Sequence, residues 1–158
     1  MAVTCNPQFR MDTKLTGGGA GLGLRTLIFD EYDRTTPLYD ANSTLPVTKL
    51  ASDELAITGG TDTIDLTAVE NPAEGAIDLT GLKIRVLILG NPGTNAITVD
   101  KGASNGYELN GADAIIVPAG GTIAIDFADA LADVSGTVKT LDVTGTAADV
   151  LNYIFVAG

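Results

Sequence analysis

Along most of the chain, apolar residues alternate with polar ones in short runs separated by turn-forming residues. The longest run is Leu82-Lys83-Ile84-Arg85-Val86-Leu87-Ile88-Leu89, whose even positions are all apolar while its odd positions begin charged and end apolar. This pattern predicts a strand with its even face buried throughout and its odd face buried only at the end. Ile88 is then a core position, and Lys83 lies on the wetter side. Gly90-Asn91-Pro92-Gly93-Thr94-Asn95 breaks the strand, and Ala96-Ile97-Thr98-Val99 resumes the alternation as an antiparallel return. The same logic predicts a second pair: Ile115-Ile116-Val117, a turn at Pro118-Ala119-Gly120-Gly121, then Thr122 to Phe127 with Ile123, Ile125 and Phe127 on one side. Leu55 and Ile57 before Thr58-Gly59-Gly60-Thr61, with Ile64 and Leu66 after it, predict a further hairpin.

The remaining segments fill in around these. Ile77 and Leu79 predict a short strand or edge, Asp100 to Asp113 a long loop containing a short strand, and Ala128 to Val134 at most one helical turn. Thr140 to Thr144 reads as a strand. Val150 to Val156 is an almost continuous apolar run that belongs in the middle of a sheet or under cover on both sides, not at an edge. Eight to ten short strands with little helix predict an all-β fold, an antiparallel β-sandwich or jelly-roll-like barrel with an extended N-terminal arm. The phrase Ile-Asp-Leu-Thr occurs at Ile64 to Thr67 and again at Ile77 to Thr80, which is too isolated for a repeat architecture and reads as strand convergence.

Residues 1–50 differ from residues 51–158 and divide the chain into an arm and a β-sandwich domain. The arm holds Pro7, Pro37 and Pro46, the glycine run Gly17-Gly18-Gly19, and more than half of the basic side chains. Only Leu24-Arg25-Thr26-Leu27-Ile28-Phe29 has strand character there. Two readings stand: a flexible tail, or an extended segment ordered only against a neighbouring subunit or another protein. Its large apolar side chains favour the second, because glycines and prolines keep the arm from burying them by itself. Phe9, Arg10, Leu15, Leu24, Leu27, Phe29, Tyr32 and Tyr39 are accordingly the expected interface with a neighbouring subunit or another protein.

Composition narrows the chemistry. Nine basic residues against 20 acidic ones give a net charge of −11, which opposes phosphate backbones and anionic lipid, so neither nucleic acid nor membrane is an expected partner. No run approaches the ~20 apolar residues of a membrane span. The single Cys5 can form no internal disulfide, and residues 1–14 lack a signal-peptide pattern, which predicts a protein made in the cytoplasm and left unprocessed. The chain has no histidine, which removes Ser-His-Asp and Cys-His catalysis and the usual zinc sets. Gly102-Ala103-Ser104-Asn105-Gly106 matches the nucleophile-elbow pattern by letters, but without a histidine and a strand–helix context it reads as an ordinary loop. Gly17 to Gly23 lacks the spacing of a phosphate loop and reads as a hinge. Gly59 to Asp65 lacks the tandem copies of a calcium-binding β-roll and reads as a hairpin tip. Few aromatics (5%) and no Trp weaken any sugar site. No catalytic residue, metal site or cofactor is expected.

Leu82 to Ile88 running to Asn91-Pro92, then Asn95 to Val99, the Asn105-Gly106-Tyr107 loop, Val117 to Gly121 and the closing Val150 to Val156 together resemble the small β-rich head decoration proteins of tailed bacteriophages. The resemblance covers residues 50 to 158. It implies a non-enzymatic virion structural protein on the capsid surface, made in the host cytoplasm, that cements or decorates the head by binding the assembled major capsid protein lattice. It further implies a homo-oligomer, with a trimer favoured. The alternative it leaves open is a tail or head-fibre module that binds a cell-surface ligand.

Overall fold

The computed structural model describes residues 47–70, 75–111 and 113–158. The predicted strand at Leu24 to Phe29 and most of the loop at Asn71 to Gly75 lie outside these residues. Among the described residues eight strands form: β1 (Lys49–Ala56), β2 (Thr61–Asp65), β3 (Ile84–Gly90), β4 (Ile97–Lys101), β5 (Ile115–Val117), β6 (Thr122–Asp126), β7 (Thr140–Thr144) and β8 (Val150–Ala157). They make two four-stranded sheets in the orders β1-β8-β3-β6 and β2-β7-β4-β5, with every pair antiparallel. The pairs β1·β8, β2·β7, β3·β6 and β4·β5 are those of one long hairpin. Rolling that hairpin up brings β8 against β3 and β7 against β4, which is the jelly roll. As the apolar run at Val150 to Val156 predicts, β8 lies inside its sheet, between β1 and β3.

The three expected hairpins are not hairpins. β1 and β2, β3 and β4, and β5 and β6 each fall in opposite sheets, so the turns between them cross the sandwich. The alternation along a strand records which side chains face the interior, and a crossing turn satisfies it as well as a hairpin does. Only β4 and β5 are both consecutive and paired, across the connection of residues 102–114. Asp62 holds the turn at Thr58 by accepting from its backbone N at 2.7 Å, while Gly60 takes φ +87°.

A second correction concerns β3. Its pairing with β8 slips between Ile84 and Val86, which leaves Arg85 as an extra residue, a β-bulge. Ile84 faces the core before the bulge, but after it Leu87 and Leu89 do, both essentially inaccessible, while Ile88 is half-buried and outside the core cluster. The even face therefore holds only as far as Ile84. Arg85 is buried, donating through Nε to the Gly158 carbonyl at 3.0 Å and through Nη1 to the Ala128 carbonyl at 2.7 Å and to Asp129. Lys83 meets the same carboxylate at 3.1 Å. The Arg85 guanidinium, with the Lys83 ammonium, holds the Asp129 carboxyl below its ordinary pKa. A depressed carboxylate adds stability above its unfolded pKa and loses it as pH falls through the folded value. Asp129→Asn should thus melt with a shallower dependence on pH than wild type as the pH is lowered from ~5 through the carboxylate range, as read by thermal denaturation.

The core between the sheets is aliphatic, with Phe155 and Tyr107 its largest fully buried side chains. Ile123, Ile125 and Phe127 pack against it together, as the alternation of β6 predicts. Tyr107 anchors the connection of residues 102–114: its hydroxyl donates to the Ala132 carbonyl at 2.7 Å and accepts from the Ile84 N–H at 3.4 Å. No helix forms among the described residues, and after β6 the reason is visible. Ala128 takes φ +48°, and Asp126 accepts from its backbone N at 2.9 Å, so the chain turns where a helix would have to start. The two Ile-Asp-Leu-Thr phrases share a device, not a strand. In each, the aspartate Oδ1 accepts from both the N and the Oγ1 of the threonine, at 2.9 and 2.6 Å for Asp65 and at 2.8 and 2.6 Å for Asp78. This is a local turn, and it delivers Leu66 and Leu79 into the core, joined by a Leu79 N–Leu66 O bond of 3.0 Å.

Candidate functional site

The registers assign each outward-facing side chain to a row across its sheet, and the two outer faces differ in kind. On β1-β8-β3-β6, one row runs Leu50, Val156, Val86, Asp126 and the next Ser52, Ile154, Ile88, Ala124. The polar row Glu54, Asn152 and Thr122 bounds these two rows and separates them from Val150, which lies beside Ala56. Leu50 is 44% exposed; Ile88, Val150, Ile154 and Val156 are half-buried and lie outside the core, while Val86 in the first of these rows is buried.

On β2-β7-β4-β5 the outward rows are Thr61, Thr144, Thr98, Ile116 and Thr63, Asp142, Asp100. Ile116, 62% exposed, is the one large apolar side chain in them. Thr61 and Thr144 share a hydroxyl hydrogen bond of 3.0 Å, and Thr63 donates to Asp142 at 2.9 Å. Asp142 also accepts from the Ala103 N–H at 2.9 Å, which fixes its carboxylate opposite Asp100 on the neighbouring strand. Lys139 closes this face at Asp65, at 2.6 Å. Burial raises the Asp65 carboxyl, and the Lys139 ammonium and Thr67 donors more than offset it, so its pKa lies below the ordinary value.

The chemistry available elsewhere is sparse. The Ser104 loop follows β4 directly but leads into no helix; instead it lies against β7, where Asn105 O accepts from the N–H groups of Lys139 and Thr140 at 2.6 and 3.0 Å. Ser104 gives its carbonyl to the Thr140 hydroxyl, and Asn105 sits at φ +55°. The glycines of the motif are there for close approach, since a Cβ on Gly102 would strike Thr140 and one on Gly106 would strike Gly102 and Lys101. Among the described residues no group of three or more histidine, cysteine or acidic side chains is placed to hold a metal ion, and no helix is long and apolar enough to cross a membrane.

The expected interface residues Phe9, Arg10, Leu15, Leu24, Leu27, Phe29, Tyr32 and Tyr39 all lie outside the described residues. The aliphatic outer face is a surface that the expected interface did not include. Its signal was present in the apolar run of β8, whose alternate members Val150, Ile154 and Val156 turn away from the core while Leu151, Tyr153 and Phe155 fill it. Fold and surface together define a jelly-roll module with one aliphatic and one hydroxyl-and-carboxylate outer face. No protein-family model matches the chain, and no curated protein or solved structure matches it either.

Proposed function

We propose that the chain is a non-enzymatic virion structural protein that decorates or cements a phage capsid by binding the assembled major capsid protein lattice. The observation that carries this reading is the contrast between the two outer faces, together with the side from which the N-terminal segment departs. Residues 1–46 join the domain at the head of β1, an edge strand of the aliphatic-faced sheet. A subunit that sits on a protein lattice needs one side suited to protein contact and another suited to water. In this chain the side of the aliphatic sheet, from which the arm departs, supplies the first through that arm, and the threonine and aspartate rows supply the second. The resemblance to head decoration proteins adds a homo-oligomer, a trimer, as the assembled form. Fold alone assigns no role, since jelly rolls serve capsids, lectins and enzymes alike.

In this reading the distal arm, with Phe9, Arg10 and Leu15, contacts the lattice. Deleting residues 2–22 should leave a folded domain of nearly unchanged melting temperature while weakening its co-sedimentation with heads that lack the protein. Unchanged affinity and unchanged oligomeric state in the truncated protein would remove the arm from the interface.

A further inference from the structure

We infer that the outer face of the β1-β8-β3-β6 sheet is the seat of the chain's own segment Leu24 to Phe29. The inference concerns a different part of the arm from the lattice contact above, and it holds whatever the protein decorates. Three observations bring this occupant to this face.

The first is the surface itself. Leu50, Val86, Ile88, Ile154 and Val156 form an aliphatic patch of two adjoining rows, bordered by Ser52 and Asp126 at the sheet edges and by the polar row Glu54, Asn152 and Thr122, beyond which Val150 lies. Patches of this kind on soluble domains mark contact sites. The second is composition. Within residues 1–46, Leu24-Arg25-Thr26-Leu27-Ile28-Phe29 is the longest stretch with strand-forming, aliphatic character. Its single charge, Arg25, is opposite in sign to Asp126 and Glu54 at the margin of the face. The third is reach. The chain enters β1 at the edge of this same sheet, where the Thr48 N–H bonds the Ala157 carbonyl at 2.9 Å. From Phe29 to Val47 an extended chain covers on the order of 60 Å, whereas four strands at ~4.8 Å spacing span roughly 15 Å. The segment reaches the whole face of its own domain, and that of an adjoining copy.

The test uses the full-length chain with Cys5→Ser, which removes the only native thiol. Ile154→Cys is combined with Leu27→Cys or with Ile28→Cys, since either side of the segment can face the sheet, and Thr98→Cys on the polar face replaces Ile154→Cys in the control pairs. Under mild oxidation, one of the two pairs with Cys at position 154 should form a disulfide at least tenfold faster than its control. On a non-reducing gel, a monomer band places the segment on its own domain and a dimer band places it on an adjoining copy. Both support the inference. It is overturned if neither pair outpaces its control, or if Ile154→Cys alone cross-links faster than the pairs, which would make a second copy's face the occupant. Val156→Cys, on the adjacent row, substitutes if Ile154→Cys alters the circular dichroism spectrum.

Discussion

Leu87→Asp should abolish soluble expression, whereas Ile88→Asp, one residue along the same strand, should still give a folded domain. Leu87 is fully enclosed in the core between the sheets, and an unpaired carboxylate there costs several kcal/mol against a total stability of roughly 5 to 15. Ile88 points out of the sandwich onto the aliphatic face and is only half-buried. Its replacement spoils that face and leaves the core intact. Expression in the soluble fraction and circular dichroism of the two variants decide the matter. Lys83→Asp should also fold, since it removes a partly exposed ion pair with Asp129 of the kind that contributes about 0 to 1 kcal/mol. The opposite ranking of Leu87 and Ile88 would mean that the Arg85 bulge is absent and the even face runs through.

Gly106→Ala should be the most damaging of the small glycine changes. A Cβ at this position would run into the Gly102 carbonyl oxygen and the Lys101 side chain, and would lie 3.0 Å from Gly102 N. The obstacle is mostly backbone, and the turn cannot give way without releasing the Tyr107 N–Thr140 O bond of 2.8 Å and, behind it, the buried Tyr107. A loss of about 2 to 4 kcal/mol, or roughly 10 °C in melting temperature, is expected. Gly136→Ala supplies the comparison: nothing lies within 4 Å of a Cβ there, so its melting temperature should stay close to wild type. Equal effects of the two substitutions would show that the loop of Ser104 is not held as tightly against β7 as its hydrogen bonds indicate.

How far the fold could be read from the residues differs from strand to strand. The strands themselves were legible because the period of two in Ile97 to Val99, Thr122 to Phe127 and Thr140 to Thr144 is the direct record of one face turned to a core. Their partners were not. Ile57 before the Thr58 turn and Ile64 after it would both face inward in a hairpin, and both do so across the sandwich, so the same letters serve either arrangement. The face of β3 was misread for a related reason. A bulge adds one residue and inverts every later position, and Arg85 looked like an ordinary outward charge, when its guanidinium is in fact held by the Gly158 and Ala128 carbonyls.

The candidate surface was partly legible. An apolar run as continuous as Val150 to Val156 requires cover on both sides, which is the physical content of an aliphatic outer face. That Val86, Ile88 and Leu50 would join it depended on a register that brings residues far apart in sequence into two rows. The loop of Ser104 directly follows a strand, as a nucleophile elbow would, but no helix follows it and its glycines serve the approach to β7.

The most direct test of the proposed role is electron microscopy of purified particles assembled with and without this chain. If the protein decorates the head, wild-type particles carry regularly spaced density on the capsid surface, and that density disappears when the chain is deleted. Heads of identical surface in both preparations, with loss of host adsorption in the deletion, would contradict decoration and assign the chain to a tail or fibre.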